Sequence, residues 1–161
     1  MSKTKKLTLA AFYVAIGVVL PVVFHQFTPG WGLHFKPMSL PIIVAGLTLG
    51  PFYGVLVALT SVFGSFVFSG MPQYPMLVVV LAECLVFGLI SGVMSGYSKK
   101  GIKQIYTSIV AAQIGANLTF YLAALVMMPV LVFQLPFPGI LLQLTIVPLV
   151  VLWIIKYDRK S

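Results

Sequence analysis

The chain has 161 residues, of which 60% are apolar and 7% charged, and its mean hydropathy is +1.10. A soluble domain is about half apolar and about a quarter charged, so ten basic and two acidic side chains cannot cover this much apolar surface in water. A water-soluble enzyme, a disordered chain and a disulfide scaffold are excluded, and an integral membrane protein with little outside the bilayer remains. The net charge of +8 does not point to nucleic acid, because the basic residues stand at the ends of apolar runs.

In chain order, Lys3, Lys5 and Lys6 precede an apolar run over residues 7–24. That run is too long for a signal-peptide core and lacks a small-residue cleavage site, so it reads as an uncleaved first helix. Residues 25–37 are polar, aromatic and broken by Pro29, Gly30 and Gly32. A second, short run ends at Gly50-Pro51, and a third follows it. Residues 69–75 form another loop. A fourth run leads to a basic turn with Lys99, Lys100 and Lys103. The fifth ends in the Pro-rich stretch 129–138, and the sixth carries Pro148. The expected architecture is an all-α membrane protein, a single compact bundle of six transmembrane helices. The spans fall at about 7–27, 38–50, 52–69, 75–97, 104–129 and 138–156, with spans of about 20 residues as the norm. Six spans put nine of the ten basic residues on one side, and the positive-inside rule makes that side, with both termini, cytoplasmic. Only Lys36 faces out.

Small residues recur every four positions at Ala11 and Ala15, at Gly46, Gly50 and Gly54, and at Gly88, Gly92 and Gly96. Such strips let another helix backbone approach closely. The spacing is consistent both with packing inside the chain and with docking of a partner.

Polar groups inside a membrane are costly and mark function. Here they are Glu83, Gln113, Asn117, Tyr121 and Gln143. Glu83 lies about 10 Å below the start of its helix, Gln143 about 6 Å, and Asn117 about 16 Å below the far end of the fifth helix. Gln113, Asn117 and Tyr121 share one helical face. These groups converge on a pocket open to the outside. No basic residue is expected at the depth of Glu83. The loops add His25, Gln26, Trp31, His34, Phe35, Lys36, Met71, Gln73 and Tyr74 as a lid over an apolar-walled small-molecule pocket. Cys84 reads as a small buried hydrophobe. There is no GxxxxGK[ST] phosphate loop, HExxH or CxxC pattern, so the chain itself is expected to hydrolyse no ATP and hold no metal. The Asn117-Leu118-Thr119 sequon falls inside a membrane helix. An intramembrane enzyme built on Glu83 would lack a second carboxylate at its depth. A structural subunit that binds no small molecule is the other rival, and a dry cluster around Glu83 would mark it.

Taken together, Ala11-x-x-x-Ala15, Lys36-Pro37-Met38-Ser39-Leu40-Pro41, Ala45-Gly46-Leu47-x-Leu49-Gly50-Pro51-x-Tyr53-Gly54 and Gly70-Met71-Pro72-x-x-Pro75-Met76 resemble the substrate-binding S components of energy-coupling factor (ECF) vitamin transporters. The pattern is most similar to pantothenate-type members. Many related sequences carry a histidine after the methionine where this chain has Ser39. The resemblance implies a multi-pass protein of the prokaryotic cell membrane with no catalytic residue and no cofactor of its own. Its vitamin would bind at the outer face, between helices four to six and the loops after helices one, three and five. Its partners would be a transmembrane coupling protein (the T component), docked on helices one to three with Ala11 and Ala15 at the contact, and two ATPases that use ATP and Mg. Toppling in the membrane would release the cargo inside. The substrate-binding residues expected on this basis are His34, Lys36, Gln73, Tyr74, Glu83, Asn117, Tyr121 and Gln143. Other cargoes in the same class are hydroxymethylpyrimidine, riboflavin, niacin and cobalamin.

Overall fold

The computed structural model describes residues 2–27, 35–96, 101–127 and 137–158. Six helices account for nearly all of them: α1 (Lys3–Phe27), α2 (Ser39–Leu49), α3 (Pro51–Ser69), α4 (Met76–Gly96), α5 (Ile102–Met127) and α6 (Phe137–Asp158). All but α2 are long and apolar enough to cross a membrane. The expected spans thus correspond to helices, with shifted ends. α1 begins at Lys3 rather than at residue 7, because hydropathy marks entry into the membrane while lysines extend a helix readily beyond it. Pro148 lies within a continuous α6.

α2 is the centre of the bundle. Its 11 residues rise about 16 Å, roughly half a hydrocarbon core. Every one of them except Leu40 is buried, and α2 contacts all five other helices. A helix that is apolar all round belongs in a core. Around it α1, α3, α4, α5 and α6 follow one another as an arc, each touching the next. The outer surface of that arc is apolar. On α5, Ile114, Leu118 and Leu122 point outward, while Ile109, Ala112, Gln113, Ala116 and Phe120 point in. The polar face of this helix is its inner one, as a lipid-facing helix requires.

Gly50 separates α2 from α3 with φ 99°, a conformation that L side chains rarely adopt, and Pro51 then opens α3 at its first turn. Beyond this break α3 runs antiparallel to α4 in close contact. A Cβ on Gly54 would lie 2.5 Å from the Gly88 carbonyl oxygen and 3.0 Å from Gly46 Cα. One on Gly46 would lie 2.9 Å from the Gly88 oxygen and 3.0 Å from the Gly92 nitrogen. The glycine strips therefore pack against each other inside the chain. Ala11 and Ala15 differ: both are exposed on α1.

Replacing Gly88 with Val should cost about 3 kcal/mol through overpacking, read as a drop in thermal unfolding midpoint in detergent. Ala11→Val, on an exposed face, should stay within about 0.5 kcal/mol. Equal effects would contradict the backbone contact.

Candidate functional site

The site is built around Lys36, in the link that leads into α2. Its φ of 45° is unusual for a residue with a side chain. The backbone there is tied down at its carbonyl, which accepts from Ser39 Oγ at 2.6 Å and from the Ser39 N–H at 3.1 Å. The side chain turns into the bundle and is 10% exposed. Its ammonium donates to Glu83 Oε1 of α4, donates to Asn117 Oδ1 of α5 at 3.0 Å, and stands 4.1 Å from the centroid of the Phe120 ring.

This arrangement corrects the expectation that Glu83 has no basic neighbour. Residue counts along the helices placed Lys36 at the outer surface, with Glu83 about 10 Å deeper. The link descends into the bundle because α2 is short and central, and the lysine stem supplies the remaining reach.

The network continues behind the ion pair. Asn117 Nδ2 donates to Gln113 Oε1 at 2.9 Å and to the Gln113 carbonyl at 2.8 Å. Gln113 Nε2 donates to Gln143 Oε1 of α6. Gln143 Nε2 donates to Ser39 Oγ at 2.6 Å, and Ser39 returns to the Lys36 carbonyl. The bonds run head to tail and close into a ring that begins and ends on Lys36. Gln113, Gln143, Ser39 and Glu83 are all buried. Three of the spanning helices and α2 are thereby joined by polar groups in an otherwise apolar interior, where an unmade hydrogen bond is expensive.

Beside the ion pair lies a cavity of about 540 Å3, within the ~300–1,000 Å3 typical of small-molecule sites. Pro21, Val22 and Gln26 of α1 form one wall, and Ser65 and Ser69 of α3 another. Met76, Val80, Glu83 and Cys84 of α4 face them. Lys36, Pro37, Met38, Ser39, Met71, Pro72, Gln73 and Phe120 complete it. The described wall is thus drawn from α1, α3, α4 and the links more than from helices four to six.

Among the expected site residues, Lys36, Gln73 and Glu83 line the cavity. Asn117 and Gln143 stand behind it and reach it through Lys36 and Ser39. Tyr121 is not in the lining and packs edge-on against Phe120. Tyr74 is 74% exposed and outside the cavity. His34 and Trp31 lie outside the described residues, as does the side chain of His25. Gln26 and Met71, expected in the lid, line the cavity as well, whereas Phe120, Ser39, Ser65 and Ser69 were not expected. The four-residue spacing of Ser61, Ser65 and Ser69 on α3 was the available signal for a small, polar helix face.

Replacing Lys36 with Met strands a buried carboxylate and should destabilise the protein by about 3–5 kcal/mol. Adding Glu83→Leu should recover much of that loss, read as the unfolding midpoint in detergent. Strictly additive losses would contradict the ion pair.

No curated protein and no solved structure matches the chain. The family model for the substrate-specific component of ECF transporters matches residues 5–156. A bundle of membrane-length apolar helices around a small-molecule cavity is what such a component requires, and with the match over nearly the whole length, the chain belongs to the family of ECF transporter substrate-specific components.

Proposed function

We propose that this chain captures a small vitamin-type molecule in the cavity beside Lys36 and Glu83 and delivers it across the cell membrane with the help of partner subunits. The observation that carries this reading is the cavity itself, which adjoins the only buried ion pair among the described residues. A structural subunit has no use for open space at a buried carboxylate. Glu83 and Gln73 contact the cargo, Lys36 holds Glu83 in place, and Asn117, Gln143 and Tyr121 hold the surrounding frame. His34 and Tyr74 belong to the outer lid. Pantothenate is the cargo that the sequence motifs favour, and it is to be tested beside its uncharged analogue pantothenol, because the ion pair in the cavity wall speaks against a ligand carboxylate.

Both termini are cytoplasmic in this reading, and the cavity opens outward. Energy comes from two partner ATPases that use ATP and Mg, coupled through a transmembrane T component. α1 supplies the docking surface. Ala11, Ala15 and Val19 recur every four residues on its exposed face, and the two alanines leave a flat patch for a partner helix.

Mass spectrometry of small molecules extracted from the gently purified protein should find a vitamin or vitamin precursor. Ala11→Trp and Ala15→Trp should leave its affinity within about twofold, a difference under ~0.5 kcal/mol. The same changes should abolish uptake by cells that carry the partner subunits. Uptake that persists in both variants would sink the docking assignment, and loss of binding together with uptake would point to misfolding instead.

A further inference from the structure

The charge pattern of the cavity narrows the cargo, on the reading that the cavity is the binding site. Lys36 and Glu83 are the two charged side chains in its described lining, and they neutralise each other. An ammonium has three N–H donors. Lys36 directs one to Glu83 Oε1 and one to Asn117 Oδ1, and the face of Phe120 lies 4.1 Å from the same nitrogen. Two of the three donors are thus engaged within the chain, and the positive charge is already matched by Glu83.

Glu83 is in the opposite condition. Its Oε2 accepts no hydrogen bond among the described residues. Nor is that oxygen sealed without a partner: the one such side-chain atom among the described residues is Ser61 Oγ. Oε2 therefore borders open space, and the open space that Glu83 lines is the cavity. A ligand carboxylate placed here would meet an oxygen of like charge and no free cation among the described residues. Like charges repel strongly in so apolar a setting.

We infer that the cavity selects a molecule without net negative charge, with an apolar or aromatic body and an amine, amide or hydroxyl that donates to Glu83. Lys36 is the positioning residue that fixes the Glu83 carboxylate, rather than an anion-binding contact. Apolar wall from Pro21, Val22, Met71 and Val80 receives the body of the ligand.

The test is calorimetric titration of the full chain in lipid nanodiscs with matched pairs that differ in one carboxylate. Suitable pairs are pantothenol with pantothenate, nicotinamide with nicotinate, and pyridoxine with 4-pyridoxate. The uncharged member of any pair that binds should be at least about tenfold tighter, a difference of ~1.4 kcal/mol. Glu83→Gln removes the repelling charge and frees Lys36, so it should move that ratio at least tenfold toward the carboxylate. Lys36→Met should weaken both members of a pair alike. A wild-type preference for carboxylates overturns the inference and leaves the cavity as the binding site. An unchanged ratio in folded Glu83→Gln does the same, as does a loss in Lys36→Met confined to the carboxylate. Should Glu83→Gln not fold, the wild-type ratio decides alone. No saturable binding by any member overturns the binding reading itself, and this inference with it.

Discussion

The closed ring of hydrogen bonds through Lys36 is the constraint on which the rest of the structure rests. Water is scarce inside a bundle of apolar helices, and each polar group there must find a partner within the chain. Lys36, Asn117, Gln113, Gln143 and Ser39 meet that requirement together, each donating to the next. The ring closes only if the link before α2 enters the interior, and the shortness of α2 permits that entry. The buried position of α2, the left-handed Lys36 and the placement of Glu83 are thus aspects of one arrangement. Its links are interdependent, so removing one strands the donors and acceptors on either side.

The glycine contacts perform the complementary task. α3 and α4 run antiparallel and meet closely where Gly54 faces Gly88. Toward the other ends of the same helices, Ser65 and Ser69 face Met76 and Val80 across the cavity. Close contact at one end and open space at the other make a wedge. Dispersion and close packing, rather than a hydrophobic drive, hold such an interface together in lipid. The same division explains why the two sets of small residues differ in use. Gly46, Gly54, Gly88 and Gly92 are consumed inside the bundle, whereas Ala11 and Ala15 remain on the surface of α1. α1 also contributes Pro21, Val22 and Gln26 to the cavity wall. A helix that carries both the exposed alanines and part of the wall ties any displacement of α1 to the shape of the cavity.

The helices were legible in the sequence because each is an apolar run bounded by charges or breakers, and the shortness of α2 followed from Gly50-Pro51. Three polar positions, Gln113, Asn117 and Gln143, were legible because so few polar residues interrupt those runs. The Lys36–Glu83 pair was not. Depth counted along a helix is sound for residues on that helix, but it says nothing of the path taken by a link. Ser65 and Ser69 were overlooked for a related reason: hydroxyls readily satisfy themselves on the preceding turn, as Ser69 does on the Ser65 carbonyl at 2.7 Å. Serines in an apolar helix therefore carry a weak signal of a polar wall. The orientation of the glycine strips was also beyond the sequence, since inward and outward packing use the same spacing.

A buried ion pair contributes little net stability against a well-packed apolar alternative. Its presence here follows better from what the cavity must do when filled and when empty. The apolar walls supply affinity without much discrimination, because burying apolar surface is roughly proportional to area and indifferent to direction. Direction comes from Glu83, and a carboxylate discriminates only if it is held still. Lys36 holds it through Oε1, and Asn117 and Phe120 hold Lys36. With one oxygen so occupied, the other is left, on the proposed reading, to water in the empty site and to a ligand donor in the filled one. Exchange of water for a ligand donor is close to neutral in hydrogen-bond energy, so a ligand that lacks the donor forfeits the exchange and is rejected. On the proposed reading, binding then remains reversible, as delivery of a cargo demands, while the choice of cargo rests on a single fixed oxygen.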